Sequence, residues 1–225
     1  MASTPPVLAL VPHQDDELLI MGAALRNATA AGREVHLVLF GLGDGTAVRR
    51  RDMPALLGRE PSPEEIGRVR DREFSMSAHL LGVERAHVHA ATPRQREKSF
   101  TRDTTHEVVT GWVQRLPDAE VWVVSEHDEN PDHSVLGAVV ADLAANGGLR
   151  HPARAFVAPW CRDRLPHPPL ERETADIGYR EQYPYRYTDV AAGQWGVGLR
   201  SVRGYFDAQL DDPACWSHRL EPATG

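Results

Sequence analysis

The residues of this chain best suited to chemistry are the run His13-Gln14-Asp15-Asp16-Glu17. This run follows the apolar segment 7–11, which predicts a short buried strand, and a helical pattern begins at Glu17. In an open parallel α/β sheet, ligands bind outside the carboxyl ends of the strands. A histidine and an aspartate three residues apart at such a place, His13 and Asp16, could hold one divalent metal. Asp15 would then be free to act on a water molecule at that metal.

A second polar cluster has the same position relative to another predicted strand. The apolar segment 121–125 is followed by polar residues that end in Asn130-Pro131-Asp132-His133, and a helical pattern covers 132–146. Two strand ends of a parallel sheet can converge, which would bring His133 to His13 and Asp16. Two histidines and one carboxylate, with a fourth position open, are typical of catalytic rather than structural zinc sites.

Each half of this pattern also has a simpler interpretation. Asp15 and Asp16 could cap a helix, because aspartate is favoured at that position, and His133 alone could be an ordinary surface histidine.

The segment that begins at Asp128 is not a calcium loop, since its sixth residue is His133 and its twelfth is Val139 instead of glycine and glutamate. No phosphate-binding loop and no Gly-x-Ser-x-Gly motif is present in the sequence.

Strand-like and helix-like segments alternate along the chain. This alternation predicts an α/β fold, a Rossmann-like three-layer αβα sandwich with a mostly parallel sheet and the metal site at the C-terminal ends of its strands. Glycines 32, 82 and 147 stand where helix C-caps are expected. The predicted strands are 7–11, 34–40, 86–90, 120–125 and 154–158, and the predicted helices are 17–31, 64–81, 103–116 and 132–146, with a further strand at 187–191 and a final helix at 194–210.

Two long segments interrupt the alternation, residues 41–63 and residues 159–187. Loops of this length inside a compact domain are usually lids or binding walls, although mobile surface is the alternative. We therefore expect a single domain over 1–225 in which both segments shape the substrate pocket. Arg49 to Arg51 are expected to be solvated, and the aromatic residues of the second segment are expected to pack, with one or two lining a binding wall.

The bulk properties exclude several classes of protein. The net charge of −7 and a pI near 5.9 argue against a nucleic-acid partner. No apolar run approaches the ~20 residues of a membrane span, and the first residues do not resemble a signal peptide. The two cysteines, Cys161 and Cys215, give no disulfide framework or metal motif. A cytoplasmic protein that acts on a small molecule is the expectation.

Together, the two motifs resemble those of the LmbE-like/PIG-L family of zinc-dependent N-deacetylases. Pro12 with residues 13–17 looks like the family's Pro-His-Pro-Asp-Asp-Glu signature, and Asn130 to His133 looks like its His-Pro-Asp-His motif. Arg70-x-x-Glu73 is similar to the family's second helix. The similarity continues in Asp189-Val190 and in the segment from Tyr205 to Gln209, so that it covers most of residues 5–210.

The resemblance implies a role for each motif residue. His13, Asp16 and His133 would bind Zn²⁺, although their donor set suits other divalent metals as well. Asp15 would be the general base, and Asp132 would orient a neighbouring imidazole or cap the helix. The implied substrate is an amino sugar, or a related small molecule, that carries an N-acyl group, in most cases acetyl. The residues that bind it are not predicted.

Two positions depart from the family pattern. Gln14 replaces a proline, which should change little. Asn130 replaces a histidine that is thought to polarise the substrate carbonyl in the family; asparagine can donate a hydrogen bond to an oxyanion but cannot carry a positive charge. His127 is an alternative candidate for that cationic role. We expect no ligand role for His36, His87 or His89.

Two other functions stay open at the level of the sequence. One is an amidase or esterase that uses the same metal on another small-molecule conjugate. The other is a catalytically degenerate protein that binds a sugar or a metal. The substitution at Asn130 is the only support for a degenerate protein, and the intact Asp15 argues against it.

Overall fold

The computed structural model describes residues 4–163 and 168–220. Residues 1–3, 164–167 and 221–225, which include part of the predicted 159–187 loop, lie outside the described residues. One seven-stranded sheet has the strand order β3-β2-β1-β4-β5-β7-β6. The first five strands pair in parallel, and β7 pairs antiparallel with both β5 and β6. The strands are β1 Val7–Val11, β2 Val35–Gly41, β3 Val88–Gln95, β4 Glu120–Val124, β5 Ala153–Val157, β6 Glu171–Thr174 and β7 Ala214–Leu220.

Helices cover both faces of this sheet. Helices α6 and α7 pack against each other on one face, and α2, α5, α8 and α9 lie on the other. This three-layer arrangement confirms the predicted α/β fold class. The helices are α1 Asp16–Leu19, α2 Gly22–Ala30, α3 Val48–Arg51, α4 Met53–Leu57, α5 Pro63–Leu80, α6 Arg102–Arg115, α7 Pro131–Ala145, α8 Tyr179–Arg186 and α9 Val197–Asp211, and a short 3₁₀ turn spans Arg85–His87.

The central strands are apolar because both of their faces are covered. Every residue of β1 is fully buried, and every residue of β2 is buried as well. Parallel strands between two helical layers read as continuous apolar runs for this reason. The helices start at local signals, such as the capping box in which Ser62 and Glu65 satisfy each other's backbone N–H groups at the start of α5. Glycines 32, 82 and 147 all have positive φ just after a helix, as predicted.

The topology creates one crevice at the carboxyl ends of the strands. From β1 the chain builds outward through β2 to β3, and then crosses back to add β4 and β5 on the other side of β1. The strand order therefore reverses between β1 and β4, which is where open α/β sheets bind ligands. The polar run 13–17 follows β1, and the segment 126–133 follows β4, so both lie at this crevice.

Several predicted elements differ in the structure. The helix predicted over 17–31 is divided into α1 and α2, and the apolar pattern hides the break because Ile20 and Met21 are fully buried there. The strand predicted over 187–191 is only an isolated bridge between Asp189 and Gln194, since the chain turns back on itself through Gly193. Strands β6 and β7 were not predicted, and the segment 41–63, predicted as a loop, contains the short helices α3 and α4. The final helix, predicted over 194–210, is α9, which starts at Val197 and is kinked at Val202.

We expect Gly137, in α7, to be essential for the close approach of that helix to β4. A Cβ atom at this position would lie 2.6 Å from the Val124 carbonyl oxygen and 2.8 Å from Glu126 Cα, and neither backbone atom can move aside. Gly137→Ala should lower the free energy of unfolding in urea by about 1–3 kcal/mol, as overpacked sites do. Gly111→Ala, in α6, is the matched control because its Cβ would meet nothing within 4 Å. Equal stability of the two variants would contradict this account.

Candidate metal centre

Three side-chain atoms converge at the crevice between β1 and β4. Asp16 Oδ2 lies 3.5 Å from His13 Nδ1 and 3.1 Å from His133 Nε2, and the two imidazole nitrogens are 3.1 Å apart. Bonds of 2.0–2.1 Å to a tetrahedral metal place neighbouring ligand atoms about 3.3 Å apart. The three atoms therefore fit one divalent metal ion, and all three residues are buried.

The two imidazoles are oriented by carboxylates on their other ring nitrogens. Asp132 Oδ2 lies 2.9 Å from His13 Nε2, and Asp128 Oδ2 lies 3.1 Å from His133 Nδ1. Asp132 is itself held by the backbone N–H groups of Lys98 and Phe100. Metal-binding histidines typically donate their second N–H to such a carboxylate, which selects the tautomer. Of the two roles expected for Asp132, its side chain contacts an imidazole. The cap of α7 is instead Asn130, whose side chain accepts a hydrogen bond from the Asp132 N–H.

The electrostatics of the centre favour a cation. Burial lowers the pKa of His133, but the charges of Asp16 and Asp128 outweigh it and raise that pKa to about 10. Burial opposes ionisation of Asp16, yet the two imidazoles hold the pKa of its carboxyl far below its usual range. Without a metal, the carboxylates therefore retain protons on the imidazoles. A divalent cation would displace these protons, so metal binding should release them.

Asp15 is presented by a strained turn. Its φ of 101° is in the left-handed region, which costs a residue other than glycine about 1–3 kcal/mol. Two hydrogen bonds hold the turn: the Asp15 N–H donates to Glu17 Oε2 at 3.0 Å, and Arg70 donates to the Gln14 carbonyl at 2.8 Å. Glu17 is fixed in turn by the Tyr185 hydroxyl at 2.7 Å. The position of Asp15 is therefore determined by side chains from α5 and α8.

The carboxyl group of Asp15 lies beside the metal-binding atoms without belonging to them. Burial raises the pKa of Asp15 well above its usual value, and Arg70, whose Nη2 lies 3.4 Å from Asp15 Oδ2, acts in the opposite direction. Arg70 also pairs with Glu97. A carboxyl group with a raised pKa takes up a proton more readily than an ordinary aspartate, which suits it to general acid–base chemistry.

A cavity of about 320 Å³ opens onto these residues. Asn130 lines it, whereas the exposed side chain of His127 is not among its lining residues. The segment 41–63 contributes Gly45, Thr46 and Ala47 to the wall. Trp160, from the second long segment, stacks on Tyr205 of α9 with ring centroids 3.9 Å apart, and both line the cavity.

Other residues named from the sequence lie away from the cavity. Arg49 pairs with Glu60, and Arg51 pairs with Asp52 and also donates to the Arg200 carbonyl of α9 at 2.6 Å. Gln14 donates to Asp71 of α5 at 2.7 Å.

Sequence reasoning missed site residues that lack a distinctive spacing. Asp128 was considered only as part of a calcium loop, although a carboxylate five residues before His133 is available to orient it. Arg70 was noticed only through the resemblance, without a role at the site. Glu97 and Lys98 lie at the cavity in a segment with no strong pattern, and nothing in the sequence singles them out.

The curated proteins that resemble this chain include the two following deacetylases. The chain is 30% identical over 150 residues to 1D-myo-inositol 2-acetamido-2-deoxy-alpha-D-glucopyranoside deacetylase of Mycolicibacterium paratuberculosis, covering 59% of this chain and 49% of the relative. It is 27% identical over 147 residues to diacetylchitobiose deacetylase of Thermococcus kodakarensis, covering 64% of this chain and 50% of the relative. The chain spans about half the length of the curated relatives it matches.

Solved structures share the fold over nearly the whole chain. The A40926 pseudoaglycone deacetylase Dbv21 has a TM-score of 0.66 at 19% identity and covers 97% of this chain and 99% of its own. The 4-carboxy-2-hydroxymuconate hydratase GalB of Pseudomonas putida has a TM-score of 0.61 at 16% identity, covering 99% of this chain and 98% of its own. Because a hydratase has this fold too, the fold alone does not decide the reaction.

The family comparison covers both motifs of the metal centre. The PIG-L family model, described as GlcNAc-PI de-N-acetylase, matches residues 8–144. This span begins in β1 and includes α5, β4 and nearly all of α7, so it contains the three candidate metal ligands, Asp15 and Arg70. The match extends over more than half of the chain, and the chain belongs to the PIG-L family.

Proposed function

We propose that this chain is a zinc-dependent N-deacetylase that removes an acyl group, most simply acetyl, from an amino sugar or a related small molecule. One observation carries the proposal: His13, Asp16 and His133 converge with metal-ligand spacing, and the buried Asp15 lines the same cavity. Membership of the PIG-L family and the deacetylase names of the two curated relatives support it.

The donor set favours zinc. Two imidazole nitrogens and one carboxylate oxygen with an open position form the ligand set of many catalytic zinc sites, and iron or cobalt could bind to the same atoms. When bound, the metal supplies Lewis acidity, which lowers the pKa of a water molecule and polarises a carbonyl oxygen. Asp128 and Asp132 keep both imidazoles in the orientation that the ion requires.

Asp15 moves the proton in the proposed reaction. Its carboxylate takes a proton from the water that attacks the amide carbon, and a C–O bond forms. The protonated Asp15 then gives the proton to the leaving nitrogen as the C–N bond breaks, which yields a carboxylic acid and a free amine. Burial raises the pKa of the Asp15 carboxyl, which favours uptake of the proton, and the nearby Arg70 guanidinium opposes that rise and so favours its release.

Asn130 is the proposed donor to the carbonyl oxygen. Its Oδ1 accepts a hydrogen bond from the Asp132 N–H at 3.0 Å, so that Nδ2 is the atom available to donate. A fixed donor that points at developing negative charge is a common source of rate enhancement. His127 does not line the cavity, and we therefore assign no role in catalysis to it.

The cavity suits a substrate of monosaccharide size. Its volume of about 320 Å³ is at the small end of ligand pockets. The stacked pair Trp160–Tyr205 offers an apolar aromatic surface beside polar residues, and the apolar face of a pyranose can pack on such a surface. We propose that residues 1–225 form one domain and that the segments 41–63 and 159–187 act as walls of this pocket.

The proposed function predicts acetate release. Zinc-loaded protein incubated with a panel of N-acetylglucosaminides should release acetate, measured by a coupled assay, and removal of the metal with a chelator should abolish the release. Matched amide and ester analogues distinguish a deacetylase from an amidase or esterase of another conjugate. If the loaded protein hydrolyses no acylated amine but binds the sugars, it is a binding protein and the proposal is wrong.

Asp15→Asn tests the assigned base. Asparagine keeps the size of the side chain but cannot accept the proton, so kcat should fall by at least about 10²-fold. The amount of bound zinc, measured by mass spectrometry, should stay unchanged, because Asp15 is not one of the three candidate metal ligands His13, Asp16 and His133. Asp118→Asn is the control, since Asp118 is exposed and, within the described part of the chain, forms an ion pair with Arg150 on the surface. Full activity of Asp15→Asn would disprove the assignment.

Asn130→Asp separates the cap of α7 from the carbonyl donor. Aspartate caps a helix as well as asparagine does but has no Nδ2 donor, so stability should be retained while kcat falls about 10²–10³-fold. Asn130→Ala removes both functions and should lose about 1 kcal/mol of stability in addition. Thermal melts and steady-state kinetics of the two variants measure the two effects. An active Asn130→Asp enzyme would show that Nδ2 is not the donor.

A further inference from the structure

A second group of metal-binding side chains lies at the opposite edge of the sheet. Glu34 immediately precedes β2, His36 is in β2, His87 ends the 3₁₀ turn before β3, and His89 is in β3. The two strands pair in parallel with His89 beside Val38. Because side chains alternate along a strand and paired residues share a face, His36, Val38 and His89 all lie on the same face of the sheet. This group is at the amino ends of β2 and β3, whereas the metal centre is at the carboxyl ends of β1 and β4.

Three of these side chains bring one donor atom each to a common point. Glu34 Oε1 lies 2.7 Å from His36 Nε2 and 3.8 Å from His87 Nε2. The rings of His36 and His87 are stacked with centroids 4.1 Å apart. One donor atom from each of the three residues lies within 4.8 Å of the others. The donor types, two imidazoles and a carboxylate, are the same as at the first centre.

His89 can orient His36 from the other side. His36 Nδ1 lies 3.2 Å from His89 Nε2, and the Trp112 ring packs on His89 with centroids 4.7 Å apart. Without a metal, His36 Nε2 can donate to the Glu34 carboxylate at 2.7 Å; an ion bound at Nε2 would replace that proton, and the Nδ1–H tautomer of His36 could then donate to His89 Nε2. A metal ligand needs this tautomer.

We propose that Glu34, His36 and His87 bind a second divalent transition-metal ion, with Zn²⁺ as the representative ion. Nitrogen-rich donor sets favour zinc, nickel and copper over magnesium or calcium. The Glu34 side chain is 55% exposed and that of His87 is 24% exposed, so water can complete the coordination and the ion can exchange. Glu34 is also free to rotate from 2.7 Å to the ligand spacing of about 3.3 Å. The bound ion joins β2 to the turn that begins the edge strand β3, and so stabilises the folded chain.

Counting bound metal tests the second site directly. Metal-free protein is equilibrated with excess Zn²⁺, gel-filtered and analysed by mass spectrometry. The unmodified chain should bind about two zinc ions, whereas His87→Gln and Glu34→Gln should each bind about one, with affinity at the second site reduced at least about tenfold. Both substituted side chains are partly exposed, and circular dichroism verifies that each variant is folded. Zinc should also raise the melting temperature of Asp16→Asn, in which the first centre is impaired, but not that of Asp16→Asn combined with His87→Gln.

His106→Gln is the matched control, because His106 is an exposed histidine on α6 outside the group. It should bind as much zinc as the unmodified chain. If folded His87→Gln and Glu34→Gln also bind as much zinc as the unmodified chain, the second site does not exist. If only Asp16→Asn loses zinc, the second site again does not exist, but zinc binding at the first centre is supported. The two proposals can therefore fail separately.

Discussion

The structure depends on the burial of three consecutive carboxyl groups, those of Asp15, Asp16 and Glu17, at the end of β1. An ionised carboxylate loses several kcal/mol when it leaves water unless charges or donors replace the solvent. Each of the three groups meets this requirement differently. Asp16 lies between two imidazoles, Asp15 has Arg70 nearby, and burial raises the pKa of Glu17 to about 7 while Tyr185 and a backbone N–H donate to it. The partners come from α5, α7 and α8, so this turn constrains where those helices pack.

Helix α5 connects the strained turn to the far wall of the cavity. Arg70 holds the Gln14 carbonyl, and Glu73, one turn later, accepts hydrogen bonds from the Val197 and Gly198 N–H groups at 2.8 and 3.0 Å. These N–H groups belong to the first residues of α9, which carries Tyr205 into the cavity. The start of α9 also packs so closely on Tyr185 that a Cβ at Gly198 would clash with its ring. One helix thus determines the positions of both the Asp15 carboxyl and the aromatic wall of the cavity.

The elements that could be predicted are those whose signals are local. β1, α5 and α7 match their predicted bounds within about a residue, because an apolar run or a capped periodic pattern marks each of them. The metal-binding side chains could be proposed because each half of the set immediately follows a strand. Their orienting partners could not, since the Tyr185–Glu17 bond joins residues 168 positions apart and the Arg70–Asp15 pair joins residues 55 apart. Strands β6 and β7 were missed because they add to the sheet in antiparallel order, outside the β-α alternation that guided the prediction.

The sequence by itself determined the chemistry available at the ends of β1 and β4, namely two histidines, the adjacent aspartates and an asparagine in place of a histidine. It also determined the fold class, because apolar periodicity and caps depend on near neighbours in the chain. Only the tertiary structure decided that β1 lies beside β4, which ring nitrogen of each histidine faces the shared point, and that His36 and His87 meet Glu34. The physical reason is that these arrangements follow from strand order and side-chain packing, in which the partners are distant in sequence and no local pattern records them.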